Sequence, residues 1–178
     1  MLTAVEYERT AALLRGSRIR SVVYYPLTCG DDGFEVEEWD FGPWHQPTMG
    51  VELHTDDACF SAVWGDSFDH HDLEVFPEPM AAHLVMIGEQ GGPAAVDVTA
   101  HPRWSPLIGR RLTGADILWS EDHVPLAIRL RSREAVVWIA AGCPADYGLG
   151  TDDVMVVFTA EFAADVGITR LRVPGSGS

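Results

Sequence analysis

The sequence predicts a mainly β, α+β fold in which one N-terminal helix precedes two tandem, pseudo-repeated β units that form a sandwich or small barrel. Three observations lead there. Residues 3–14 alone join a helix cap to helically spaced apolar residues. Beyond Gly16, short β-branched and aromatic runs alternate with Gly, Pro and Asp. Three of those runs then recur in the same order further along the chain.

The helix comes first. Thr3 is placed to cap it, Glu6 three residues on completes a capping box, and Val5, Tyr7, Ala11, Leu13 and Leu14 give an imperfect apolar side that stops at Gly16. The first β unit spans residues 16–80 and the second 109–160. Gly16 to Tyr25 matches Gly109 to Leu118, Val51 to Phe60 matches Ile128 to Val137 without a gap, and Leu73 to Phe76 matches Met155 to Phe158. Each unit contains a hairpin, turning at Thr55-Asp56-Asp57 in the first and at Ser132-Arg133-Glu134 in the second. Two such units, each with one apolar face, can bury those faces against each other. The Pro- and Gly-rich stretch from Pro77 to Pro106 connects them, with short strands expected at His83 to Ile87 and Ala94 to Val98. Residues 1–173 are expected to form one domain, followed by a flexible tail at 174–178 that ends Gly-Ser-Gly-Ser.

Composition narrows the class. With 47% hydrophobic and 22% charged residues the bulk of the chain is globular and not disordered. Met1 to Thr10 lacks the basic and apolar regions of a secretory signal, and no apolar run reaches bilayer-spanning length. Cys29, Cys59 and Cys143 are odd in number and far apart, which reads as reduced thiols in a cytoplasmic protein. The formal net charge of −15 is regional: the 82 residues between Arg20 and Arg103 hold 16 carboxylates and no basic side chain. Nucleic acid and anionic membranes are polyanions that need a basic footprint, so both are excluded as partners. The charge favours a basic protein surface, a metal ion, or simple solubility.

The first unit is about 16 residues longer than the second between matching strands, and the extra residues run from Cys29 to Trp44. Asp31, Asp32, Glu35, Glu37, Glu38 and Asp40 are interleaved there with Phe34, Trp39, Phe41 and Trp44. Aromatic anchors among charges suit a protein-docking surface, so Asp31, Asp32, Glu35, Glu37, Glu38, Trp39, Asp40 and Trp44 form the candidate partner-binding set. The structural alternative is an amphipathic strand that packs Phe34, Val36 and Trp39 inward.

Other chemistry is weaker. Asp66, Asp69, His70, His71 and Asp72, with His54 near, include His70 and Asp72 as candidate metal ligands, but without recognised ligand spacing. Serine lacks a GxSxG setting, Cys143 lacks an activating neighbour, and Gly88 to Pro93 reads as a turn and not a phosphate loop. Neighbouring acids such as Glu37 and Glu38 fall on opposite faces of a strand and make a poor acid/base pair. No catalytic residue and no cofactor is assigned. Arg129, Arg131 and Arg133 are expected on one outer strand face, opposite acids of the first unit or in solvent, and Trp64, Trp104, Trp119 and Trp138 in the core. The functional expectation is a non-enzymatic acidic protein that docks on a basic partner, as an immunity or antitoxin protein docks on a nuclease-like toxin. The competing class is a small-molecule binder or metal-dependent enzyme with a β-core pocket lined by Trp39, Trp44, Trp64 or Trp119.

Overall fold

The computed structural model of the chain describes residues 2–66, 71–146 and 148–174. In chain order its elements are α1 (Ala4–Leu14), β1 (Ile19–Tyr24), β2 (Thr28–Cys29), β3 (Glu35–Val36), β4 (Trp44–Thr48), β5 (Gly50–Thr55), β6 (Cys59–Gly65), β7 (Asp72–Phe76), β8 (Val96–Asp97), β9 (Gly114–Trp119), β10 (Pro125–Arg131), β11 (Val136–Cys143), β12 (Gly148–Val157) and α2 (Ala160–Asp165). Among the described residues no helix is long and apolar enough to cross a membrane.

The first helix starts as its sequence requires. Thr3 Oγ1 accepts the Glu6 N–H at 3.3 Å while the Glu6 carboxylate accepts the Thr3 N–H at 2.7 Å, closing the capping box. Tyr7, Ala11 and Leu14 at i, i+4 and i+7 form its buried stripe.

Two five-stranded antiparallel sheets follow, ordered β7-β6-β5-β1-β8 and β4-β12-β11-β10-β9. The hairpin turns close where the turn residues stand, by Thr55 N–H to Ala58 O at 2.8 Å and Ser132 N–H to Ala135 O at 2.9 Å. The segments leading into β1 and β9 pair antiparallel: Gly16 N–H donates to Leu112 O, Gly109 N–H donates to Ile19 O, and Arg18 stands opposite Arg111.

The period-2 alternation of the strands decides what lies between the sheets. Val22, Val51, Leu53, Phe60 and Leu73 from the first sheet meet Ile128, Leu130, Val137, Ile139, Val154 and Val156 from the second, all at most 2% exposed. Burying each contributes about 1.5–3 kcal/mol relative to leaving it in water. This apolar sandwich is the mainly β architecture that the patterning predicts. Helix α1 packs against β7 and β9 and closes that edge, with Tyr7 set edge-on to Trp119 at 5.4 Å and its hydroxyl donating to Asp72 at 3.1 Å. Helix α2 and Ile168 cover the outer face of the second sheet over Met155 and Val157, and Met80, Leu84 and Ile87 cover part of the first over Tyr25 and Val63.

Three expectations are corrected. His83 to Ile87 is not a strand but a run of turns after the short 3-10 helix Met80–Ala82. Leu84 and Ile87, three residues apart, both turn to the protein, leaving Val85 93% and Met86 53% exposed, which a period of two could not do. The expected strand at Ala94 to Val98 shortens to β8. Arg129 and Arg131 face neither acids of the first unit nor open solvent alone: both donate to Asp116 Oδ2 on the adjacent β9, at 3.0 and 3.1 Å. Arg133 belongs to the β10–β11 turn, outside the strand.

Candidate functional site

The acid-rich segment from Cys29 to Trp44 does not form one amphipathic strand. Its first part is the ribbon β2–β3, turned by Gly30 and Gly33, both at positive φ that glycine alone adopts freely. Its last part crosses to the other sheet as β4 and pairs with β12. The ribbon is tied down at both ends. Gly33 O accepts the Gly91 N–H and Gly92 O accepts the Thr28 N–H, joining it to the connecting loop. Glu37 accepts the Leu27 N–H at 2.9 Å and the Thr48 hydroxyl, and Thr48 holds a left-handed φ of 52°, strained for a β-branched residue.

This anchoring sorts the eight predicted docking residues. Asp31, Asp32, Glu35 and Glu38 are exposed on the ribbon and its flank. Phe34 and Val36 stand among them, 58% and 40% exposed, so the inward packing expected of an amphipathic strand holds for neither. The two-stranded ribbon has no sheet behind it to bury either face. Glu37 is an internal clamp. Trp44 stacks between Phe41 at 4.5 Å and Phe162 at 5.6 Å. Trp39 turns inward, and Asp40, itself still exposed, hydrogen-bonds at the rim of a cluster that no sequence spacing marks.

That cluster closes the second edge of the sandwich, where Tyr24 on β1 meets His45 on β4. The indole N–H of Trp104 can only donate, and it reaches Tyr24 Oη at 2.7 Å. The Tyr24 proton is then given to His45 Nδ1 at 2.8 Å, which leaves the ring proton of neutral His45 on Nε2, 3.2 Å from Asp40 Oδ1. That contact is off the N–H axis, so the fully buried Nε2 has no aligned acceptor. The other Asp40 oxygen accepts from His101 Nε2 at 3.1 Å, and His101 Nδ1 accepts the Arg103 N–H at 3.2 Å. Trp39 lies edge-on to Tyr24, His45 and His101, at 5.4, 5.0 and 5.7 Å.

Asp40, His45 and His101 have the spacing of a two-histidine, one-carboxylate metal triad. Donor bookkeeping points elsewhere. A ligating Nε2 needs the ring proton on Nδ1, yet His101 Nδ1 faces a backbone N–H that can only donate. The cluster is a hydrogen-bonded run from Trp104 through Tyr24 to His45, flanked by the Asp40–His101 pair, that staples the two sheets. Burial pushes the His45 imidazolium down to about 4 against the opposing pull of Asp40, and the Gly42 N–H, followed by His101, holds the Asp40 carboxyl below its usual range.

Of the weak metal candidates, His70 lies outside the described residues, as does Asp69, and Asp72 is buried and accepts the Tyr7 hydroxyl. Trp39 and Trp119 pack against the inter-sheet core, while Trp64 borders a surface hollow with Glu74 and His83. A signal for the cluster was present in the Trp, Tyr and His content, but not in any spacing, because Tyr24, His45 and Trp104 are brought together from far apart in the chain. Comparison with protein-family models, curated proteins and solved structures finds no match to this chain.

Proposed function

We propose that this protein binds a basic protein partner through the β2–β3 ribbon. The observation that carries the reading is the pair Phe34 and Val36, held out from the sandwich on an anchored ribbon and ringed by Asp31, Asp32, Glu35 and Glu38. An apolar anchor supplies contact area that holds a complex together, and surrounding carboxylates speed encounter with arginine- and lysine-rich surfaces. Pre-anchoring supports the same reading, because a ribbon fixed by Glu37 and by the loop at Gly91 and Gly92 loses little entropy on binding. The biological setting this suits is inhibition of a nuclease-like toxin in the cytoplasm, since an active site that binds phosphates is basic. The competing pocket reading has less support, because Trp39 and Trp119 are packed into the core.

The test compares wild-type protein, Phe34→Ala, and the neutralised set D31N/D32N/E35Q/E38Q. Each is used to capture proteins from host lysate at about 0.15 M salt, with elution at about 1 M, where the Debye length falls from about 8 to about 3 Å. The expected result is a basic protein held by wild type and lost from both variants. With that partner purified, F34A is expected to raise the dissociation rate at least tenfold, and the neutralised set to slow association and flatten its salt dependence. Wild-type binding by both variants would remove the ribbon from the interface.

A further inference from the structure

The outer face of the β5–β6 hairpin carries four polar side chains that the docking reading does not use. In its register Glu52 stands opposite Ser61 and His54 opposite Cys59, so all four project from one face, while Val51, Leu53, Phe60 and Ala62 project into the core. His54 Nε2 lies 2.6 Å from Glu52 Oε1 and 4.0 Å from Cys59 Sγ. The three donor atoms lie within 4.8 Å of one another.

This is not a thiol nucleophile activated by a histidine–carboxylate pair. That arrangement puts the acid on one ring nitrogen and the thiol on the other, whereas here both meet Nε2. Burial and then the Glu52 charge also push the Cys59 thiol up to about 11, away from a nucleophilic thiolate.

We infer that Glu52, His54 and Cys59 form a site for one divalent thiophilic metal ion of the zinc class, with a fourth coordination position open to solvent. Sulfur, imidazole nitrogen and carboxylate oxygen together are a zinc-type donor set. With metal–sulfur and metal–nitrogen or –oxygen distances of about 2.3 and about 2.0 Å, tetrahedral geometry needs donor separations of about 3.3–3.5 Å. The observed 2.6 and 4.0 Å lie on either side of that range, so the nitrogen–oxygen pair must open by about 0.7 Å and the sulfur–nitrogen pair close by about 0.5 Å, changes that side-chain rotation at His54 and Cys59 can supply.

Further observations favour an ion here. Glu52 is 7% exposed, and no arginine or lysine forms an ion pair with it among the described residues, so a cation seated beside this carboxylate would offset the cost of burying it. Its second oxygen is fixed by the Met80 N–H at 2.6 Å, which orients the carboxylate. The Ser61 hydroxyl, fully buried on the same face and directly across from Glu52, has no hydrogen-bond partner among the described residues. Among the described residues no hydrogen-bond donor faces His54 Nδ1, so the tautomer a metal needs is open to it, in contrast to His101. Asp97 lies in line with Val23 and Glu52 across this face. His54 and Cys59 are only partly buried, which leaves the fourth position accessible. Coordination takes Cys59 as thiolate, so its proton leaves to solvent and affinity rises with pH.

The test titrates the full chain, stripped with chelator and kept reduced, with Co²⁺ and then with Zn²⁺ in competition. The expected result is one equivalent of cobalt, a thiolate-to-cobalt charge-transfer absorption, and displacement by zinc. Near-isosteric C59S abolishes the absorption, H54A weakens zinc binding at least tenfold, and C29S and H101Q leave both unchanged. Circular dichroism checks that each variant is folded. No charge-transfer absorption at millimolar cobalt, an absorption that survives C59S, or undiminished affinity in H54A would each overturn the site. None of these outcomes bears on the ribbon.

Discussion

Acid should loosen this protein through His45 more than through any change in its core packing. His45 is fully buried, and burial drives its imidazolium down to about 4 from an ordinary value of 6.5. The folded state therefore holds the neutral ring, while below pH 6.5 the unfolded chain takes up a proton that the folded state refuses. Stability contributed by the neutral buried ring is full above pH 6.5 and falls as the pH drops toward 4. Each unit in this window costs about 1.4 kcal/mol, so the loss attributable to His45 between pH 7 and pH 5 is about 2 kcal/mol. Urea unfolding of wild type and His45→Gln at pH 7, 6 and 5 isolates this part, since other titrating groups are common to both. Wild type is expected to lose about 2 kcal/mol more than the variant over that interval. An NMR titration of the folded protein reads the ring directly and does not depend on how well the variant folds. Equal pH slopes, or a His45 resonance that titrates near 6.5, would refute the reasoning.

Tyr24→Phe leaves the fully buried Trp104 N–H without an acceptor and His45 Nδ1 without a donor, and is expected to cost about 2–4 kcal/mol in equilibrium unfolding, with a repacked cluster betrayed by a smaller loss. Among the thiols, exposed Cys29 is expected to react first with iodoacetamide at pH 7.5, while Cys59, raised to about 11, lags; mass spectrometry of tryptic peptides gives the order, and Cys59 leading would contradict its desolvated setting.

Much of the fold was legible because its determinants are local. The Thr3–Glu6 capping box, the turns after Thr55 and Ser132, and the alternation along β5, β6, β10 and β11 depend on residues a few positions apart. The interior of the acid-rich segment was misread for the same reason. Alternation marks a strand with two different faces, but it does not say whether a sheet lies behind it, and behind Phe34 and Val36 there is none. The segment at Leu84 to Ile87 shows the converse: an apolar run that looks strand-like buries residues three apart because it folds as turns. At the candidate sites, the exposed acids of the ribbon could be picked out from sequence, whereas Glu37 could not be told from Glu38 until Leu27 and Thr48 were placed beside it.

The sequence by itself determined a mainly β chain with one capped helix, paired hairpins and an acid-rich first half, because capping, turn chemistry and period are properties of neighbouring residues. Only the tertiary structure decided which polar groups meet. Trp104, Tyr24, His45, Asp40 and His101 become one cluster because β4 crosses to the far sheet and brings His45 to β1. Glu52, His54, Cys59 and Ser61 become one cluster because the β5–β6 register puts them on the same face. Pairing across strands and between sheets is set by how apolar faces are buried over the whole chain, and no short stretch of sequence records it.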